Sequence, residues 1–161
     1  MNNIVITWTS SWIWKSLWEF LKNENNIIWV SRSENNIIWI KYIKWDLNNL
    51  EFIEELSKKI EKIDYLILNA WVGYFDNFEK ISLKDHLLTI NLNLTSNIAL
   101  VYSMLNKIKK WIIFIWSLSW KKSQKYWSVY SASKFWIRWF AMNLKNELSW
   151  IKIHIINPKI V

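Results

Sequence analysis

The sequence predicts an α/β protein with a doubly wound parallel sheet and helices on both of its faces. Two observations predict it: segments of strand and helix character alternate along the chain, and the strand segments are apolar runs of the kind buried on both sides. Asn3–Thr7 is the first such run, and Ile13, Leu17, Phe20 and Leu21 then recur at helical spacing. Ile27–Ser31 and Ile40–Lys44 read as the second and third strands. The stretch between them, Arg32 to Trp39, is short for a parallel crossover, so a turn or loop is expected in place of the usual helix. Leu50, Ile53, Leu56 and Ile60 form a helical stripe flanked by the i,i+4 pairs Glu54–Lys58 and Glu55–Lys59. Tyr65–Asn69 is the fourth strand, and Ser82-Leu83-Lys84-Asp85 reads as a capping box opening a long helix to about Ile108. Ile112–Ile115 is a strand, Ser128–Leu148 a helix and Ile151–Ile156 a sixth strand. Ligands of such sheets bind at the carboxyl ends of the strands.

Composition narrows the function classes. A chain of 161 residues, 52% hydrophobic and 21% charged, suits one globular domain over residues 1–161. No apolar run reaches the roughly 18 residues of a membrane span, and MNNIVIT lacks the basic start and apolar stretch of a secretory signal, so a cytoplasmic protein is expected. The absence of cysteine excludes disulfides and thiolate metal sites, and His86 and His154 stand far apart, so no metal site is expected. The net charge of +8 is spread along the chain in single lysines and short pairs such as Lys58-Lys59, Lys109-Lys110 and Lys121-Lys122. Solvated helix faces and loops account for that spread, so neither nucleic acid nor a membrane surface is expected as a partner. The hexapeptide Glu24–Trp29 recurs at Glu34–Trp39, but two copies do not make a repeat protein. One ratio stands out: the chain has 1 glycine and 15 tryptophans, whereas glycine is ordinarily about 7% of residues.

The tryptophans fall into a pattern. Thr7-Trp8-Thr9-Ser10-Ser11-Trp12-Ile13-Trp14 follows the first strand, Asn69-Ala70-Trp71 the fourth and Ser117-Leu118-Ser119-Trp120 the fifth. Tyr130-Ser131-Ala132-Ser133-Lys134 opens the last helix. In order and spacing these segments resemble the short-chain dehydrogenase/reductase family, whose motifs are T-G-x-x-x-G-I-G, N-A-G, S-x-x-G and Y-x-x-x-K. The chain departs from those motifs only where a glycine belongs, and each time the substitute is tryptophan; Trp127, Trp136 and Trp139 also stand where members carry glycine or alanine. Some bacterial lineages read UGA as glycine where other codes read tryptophan. Translation of such a gene under the other code would produce this pattern and spare glycines with GGN codons, here Gly73. Restoring all of them brings glycine to about a tenth of the chain, ordinary beside the usual share.

The resemblance implies a Rossmann-like fold and an NAD(P)H-dependent oxidoreductase interconverting a small-molecule carbonyl and an alcohol. It implies catalytic roles for Asn91, Ser117, Tyr130 and Lys134. Tyr130 would protonate the carbonyl oxygen, and Lys134 would hold the nicotinamide ribose and favour the phenolate. Ser117 would hydrogen-bond the substrate oxygen and Asn91 position a water in the proton relay. Trp8, Ser10, Ser11, Trp12, Ile13 and Trp14 occupy the pyrophosphate loop, Asp46 and Leu47 flank the adenine, and Asn69, Ala70 and Trp71 complete the cofactor edge, with Tyr130 and Lys134 serving both sets. NAD-binding members carry an acid near the position of Ser31; Arg32 stands beside it instead, a cation suited to a 2′-phosphate, so NADPH is expected over NADH.

Two departures qualify the resemblance. Pro158-Lys159 stands where members have Pro-Gly, and the chain stops at Val161 where members continue into a seventh strand and a substrate lid. An incomplete member is therefore expected, with the C-terminal strand, the lid and part of the usual homo-oligomer interface absent. A non-catalytic dinucleotide-binding or interaction module is the alternative from another class. A basic, Trp-rich binder of nucleic acid or membrane is a third, and it leaves unexplained why the indoles track another family's glycines.

Overall fold

The computed structural model describes residues 1–7, 21, 25–31, 41–44, 46–116 and 123–157. Six strands run in order along the chain: β1 (Asn2–Thr7), β2 (Asn25–Ser31), β3 (Lys41–Lys44), β4 (Ile63–Leu68), β5 (Ile108–Ile115) and β6 (Lys152–Ile156). They form one sheet in the order β3-β2-β1-β4-β5-β6, and every pairing is parallel. The order reverses between β1 and β4, which marks the switch point of a doubly wound sheet. Among the described residues the α-helices with both ends in view are α1 (Leu50–Lys59), α2 (Leu83–Ile90), α3 (Ser96–Met104) and α4 (Ser128–Glu147), with a π-turn over Asn91–Thr95 joining α2 to α3.

Strand alternation divides the apolar side chains between two faces. Val5, Val30, Leu66, Leu68 and Ile112 face a core shared with Ile53 and Leu56 of α1, Leu100 and Met104 of α3, and Ile137 and Ala141 of α4. Ile4, Ile6, Ile27, Trp29 and Ile67 point to the opposite face, where the helical residue Leu21 packs against them. The strands are thus apolar in both phases, which is why they read as continuous runs. None of the helices among the described residues is long and apolar enough to cross a membrane.

Helix starts follow the local chemistry. Asn49 caps α1 by accepting from the Glu51 N–H at 3.0 Å. At α2, Ser82 Oγ accepts from the Asp85 N–H at 3.1 Å and donates to the Asp85 carboxylate at 2.7 Å, so the expected capping box is present with a hydroxyl–carboxylate bond closing it. The long helix opened there runs through the π-turn to Met104, a little short of the expected end at Ile108.

The sheet extends toward its amino edge beyond the apolar runs. β5 begins at Ile108 rather than Ile112: Ile108 pairs with Ile63, the exposed Lys109 and Lys110 stand where the register shifts, and pairing resumes at Trp111, so this end of the strand carries no apolar signal. β2 likewise begins at Asn25, where asparagines on paired strands bond to one another: Asn2 Nδ2 to Asn25 at 3.0 Å and Asn26 Nδ2 to Asn3 at 2.9 Å. Asp64 accepts from the Asn3 N–H at 2.9 Å and pairs with Lys110 at 3.3 Å, fastening β1, β4 and β5 at that edge. The Asn3 N–H, with Lys110 beside it, holds the Asp64 carboxyl below the usual carboxylate range. The carboxyl edge is left for chemistry.

Candidate active site

The carboxyl ends of β1 and β4 meet at a single hydroxyl. Thr7, wholly buried, accepts the N–H groups of Asn69 at 3.1 Å and Ala70 at 3.2 Å on its Oγ1. That contact fixes Asn69-Ala70-Trp71 at the switch point. Asn69 and Ala70 are buried, and the Asn69 Nδ2 finds no hydrogen-bond partner among the described residues. A buried amide left without an acceptor costs about 1–3 kcal/mol. A ligand carrying hydroxyl or phosphate oxygens would satisfy it.

Trp71 leads to the second half of the site. Its ring lies 5.6 Å from the Tyr130 ring and 5.7 Å from the Lys134 Nζ. Tyr130 and Lys134 stand one turn apart on the inner face of α4, only 6% and 4% exposed. A lysine is rarely so buried. Burial pushes its ammonium down from 10.5 to about 8. Its own carbonyl accepts the Trp116 indole N–H at 2.6 Å, which anchors this turn of α4 to the end of β5.

The sign of that shift sets a stability prediction. The folded value lies below the ordinary one, so between about 8 and 10.5 the unfolded chain binds a proton that the folded chain does not. Stability therefore rises with pH across that window and is lowest below it, where both forms are charged. Lys134→Met should flatten the rise in urea midpoint between about pH 8 and 10; an unaltered slope in the variant would show that Lys134 is not held in a desolvated site.

Asn93 ties the site together. It is 1% exposed and sits in the π-turn, a feature frequent at functional sites. Its Nδ2 donates to the Val72 carbonyl and to Ser133 Oγ, both at 2.9 Å, and its Oδ1 accepts the Val72 N–H at 2.8 Å. Ser133 Oγ passes the chain on by donating to the Tyr130 carbonyl at 2.7 Å. One asparagine thus joins the loop after β4, the long helix and the Tyr130–Lys134 turn of α4.

Asn91 is not brought to this cluster. It is exposed, and its carbonyl accepts from Ser96 Oγ at 2.8 Å. Asn93, two residues on in the same π-turn, is the asparagine that points inward. Ser96 Oγ also approaches the Leu47 carbonyl at 2.5 Å, coupling the π-turn to the Asp46-Leu47 turn. There Leu47 is buried, and Asp46 accepts from the Asn48 N–H at 3.0 Å. Neither Asn93 nor Ser96 was singled out by the sequence, although the close pair of asparagines in Asn91-Leu92-Asn93 was visible.

Trp8, Ser10, Ser11, Trp12, Ile13, Trp14, Arg32 and Ser117 lie outside the described residues. The strands that lead into them end at Thr7, Ser31 and Ile115, each on the same carboxyl edge as Asn69.

The aromatic side chains around Tyr130 complete the geometry. Phe75 and Trp127 stand edge-on to its ring at 5.3 and 5.5 Å, and Phe75 and Trp127 are 4.6 Å apart. Trp127 is also the N-cap of α4 and makes no side-chain capping bond. The preceding Tyr126 has φ 72°, a left-handed conformation that costs a side-chain-bearing residue energy.

A family model described as short chain dehydrogenase matches residues 20–161. The chain belongs to that family. Solved structures bear out the fold. A short-chain dehydrogenase/reductase from Saccharomyces cerevisiae superposes with a TM-score of 0.88 at 26% identity, over 100% of this chain and 71% of that one. A 4-hydroxyisoleucine dehydrogenase complexed with NADH gives 0.89 at 23% identity, over 98% and 75%. An alcohol dehydrogenase from Thermococcus sibiricus, complexed with 5-hydroxy-NADP, gives 0.86 at 20%, over 98% and 76%. This chain spans 65% of the length of a short-chain dehydrogenase from Streptomyces avermitilis and 82% of that of a serine dehydrogenase from Escherichia coli. A search of curated proteins gives no match. A dinucleotide-dependent oxidoreductase is the class these findings support.

Proposed function

We propose that the chain carries the cofactor-binding and catalytic core of an NADPH-dependent oxidoreductase interconverting a carbonyl and an alcohol. The buried pair of Tyr130 and Lys134, beside the unsatisfied amide of Asn69 at the switch point, carries this reading. Asn69, Tyr130 and Lys134 fit a nicotinamide nucleotide, which supplies the hydride when bound. Lys134 holds the ribose hydroxyls and favours the Tyr130 phenolate, and the Tyr130 hydroxyl delivers the proton to the carbonyl oxygen. Ser117 binds that oxygen. Asn93 takes the relay position in place of Asn91, supported by its burial and its bonds to Val72 and Ser133. Asp46 and Leu47 hold the adenine end, and the segment from Trp8 to Trp14 the pyrophosphate.

The proposal extends to the tryptophans: the protein made in its own cell carries glycine at those positions. The indole of Trp71 stands on the ammonium that must reach the ribose, and Trp127 occupies a helix cap without capping it. Glycine is accepted at an N-cap far better than a large apolar residue.

Arg32 tests the choice of cofactor. In the glycine-coded chain NADPH should bind more tightly than NADH, and Arg32→Ala should erase most of the difference. A charge-assisted, bidentate contact is worth about 1.5–3 kcal/mol, or roughly tenfold to a hundredfold. Equal affinities by titration calorimetry would remove Arg32 from the 2′-phosphate, and failure to bind either nucleotide would remove the oxidoreductase reading with it.

A further inference from the structure

The segment after β4 holds aromatic side chains in solvent beside a buried tyrosine. Tyr74, Phe75 and Phe78 are 37%, 44% and 63% exposed. Phe78 has a partner in the stacked ring of His86 at 4.6 Å. Phe75 instead lies against the Tyr130 ring, and Gly73 makes that possible. A Cβ at Gly73 would stand 2.6 Å from Phe75 Cζ and 2.9 Å from Tyr130 Cδ2, so neither ring could keep its place. No glycine has a positive φ, so Gly73 is needed for space and not for backbone conformation. The adjacent Asp76 turns its carboxylate onto the Asn77 N–H at 2.7 Å.

The other side of Phe75 faces the indole of Trp127 at 4.6 Å, and that indole also meets Tyr130 at 5.5 Å. Phe75 and Tyr130, in edge contact with each other, therefore form two walls of a slot beside them that the Trp127 ring fills. With glycine at 127 the slot is left open, apolar on the Phe75 side and next to the hydroxyl-bearing ring on the other.

We infer that Phe75 determines substrate specificity, and that the slot beside Phe75 and Tyr130 takes the apolar ring of an aryl ketone or the corresponding alcohol. The inference rests on Tyr130 as proton donor and on glycine at 127. An aryl ring placed there meets the Phe75 and Tyr130 rings as the indole now does. A small polyhydroxylated ketone has nothing to offer Phe75 and would leave its own hydroxyls against an apolar wall.

The test uses the glycine-coded chain with acetophenone and dihydroxyacetone as probes. Binding is followed by ligand-observed NMR without cofactor, and kcat/KM is measured with NADPH. Acetophenone should bind at least about tenfold more tightly, the scale of one aromatic contact with its buried area. Phe75→Ala should bring the two probes to within a few-fold, Phe75→Leu should keep most of the preference, and neither should alter NADPH affinity. Dihydroxyacetone binding as well as acetophenone, no acetophenone binding, or a preference untouched in Phe75→Ala overturns the inference. NADPH-dependent turnover of dihydroxyacetone alone would overturn it while leaving the oxidoreductase reading intact. Loss of NADPH binding in the parent would sink the latter.

Discussion

Tyr130→Phe is expected to lower turnover of any accepted carbonyl by about a hundredfold to ten-thousandfold, the range of a positioned general acid. NADPH affinity should change little, because the ring keeps its edge contacts with Trp71 and Phe75, or with Phe75 alone where residue 71 is glycine. The fold should also survive. The Tyr130 backbone carbonyl, not its hydroxyl, receives the Ser133 bond, so the Asn93–Ser133–Tyr130 chain does not depend on the phenol. The measurement is kcat and KM in the glycine-coded chain, with the cofactor Kd from fluorescence titration. Turnover within a few-fold of the parent would move the proton donor elsewhere. A matching fall in NADPH binding would mean that the phenol serves the cofactor rather than the carbonyl.

Most of the fold was legible because the strands are buried on both faces and so carry an uninterrupted apolar signal. The signal stops where burial stops. Lys109 and Lys110 lie in β5 at a shift of register and face solvent, and the asparagines that open β1 and β2 pair with one another rather than with a core. Tyr130 and Lys134 were legible because helical spacing alone puts both on one face. Asn91 and Asn93 fall on opposite sides of their turn, and only packing against Val72 and Ser133 shows that Asn93 is the inward one. Thr7 was visible only as the end of a strand; that its hydroxyl would bind two backbone N–H groups of β4's exit depends on which strand lies next to β1. Strand order is a tertiary fact that no local pattern states.

Two synthetic genes, one coding the chain as printed and one coding glycine at all 15 tryptophan positions, should behave oppositely toward NADPH. The printed chain should not bind it. Trp8, Trp12 and Trp14 take the glycine places of the motif that in the family meets the pyrophosphate, and Trp71 lies over the Lys134 ammonium. Trp136, Trp139 and Trp150 are 58%, 43% and 66% exposed, surface indoles that favour association of the printed chain over solubility. The glycine chain should bind NADPH and unfold in one cooperative transition that the nucleotide shifts upward, by about 2.7 kcal/mol at a hundredfold excess over Kd. Two buried positions make the comparison cut both ways. Trp29 is 2% exposed in the core, and Trp116 is 8% exposed with its indole bonded to the Lys134 carbonyl. If these indoles belong to the protein, emptying the two sites costs about 3–5 kcal/mol each, enough to unfold a domain whose whole stability is roughly 5–15 kcal/mol. A glycine chain that fails to fold beside a printed chain that folds and binds NADPH would therefore establish the tryptophans as genuine. The opposite outcome, a folded, nucleotide-binding glycine chain, is the one expected, because an indole on the buried Lys134 ammonium and another at an uncapped helix start work against the proposed site.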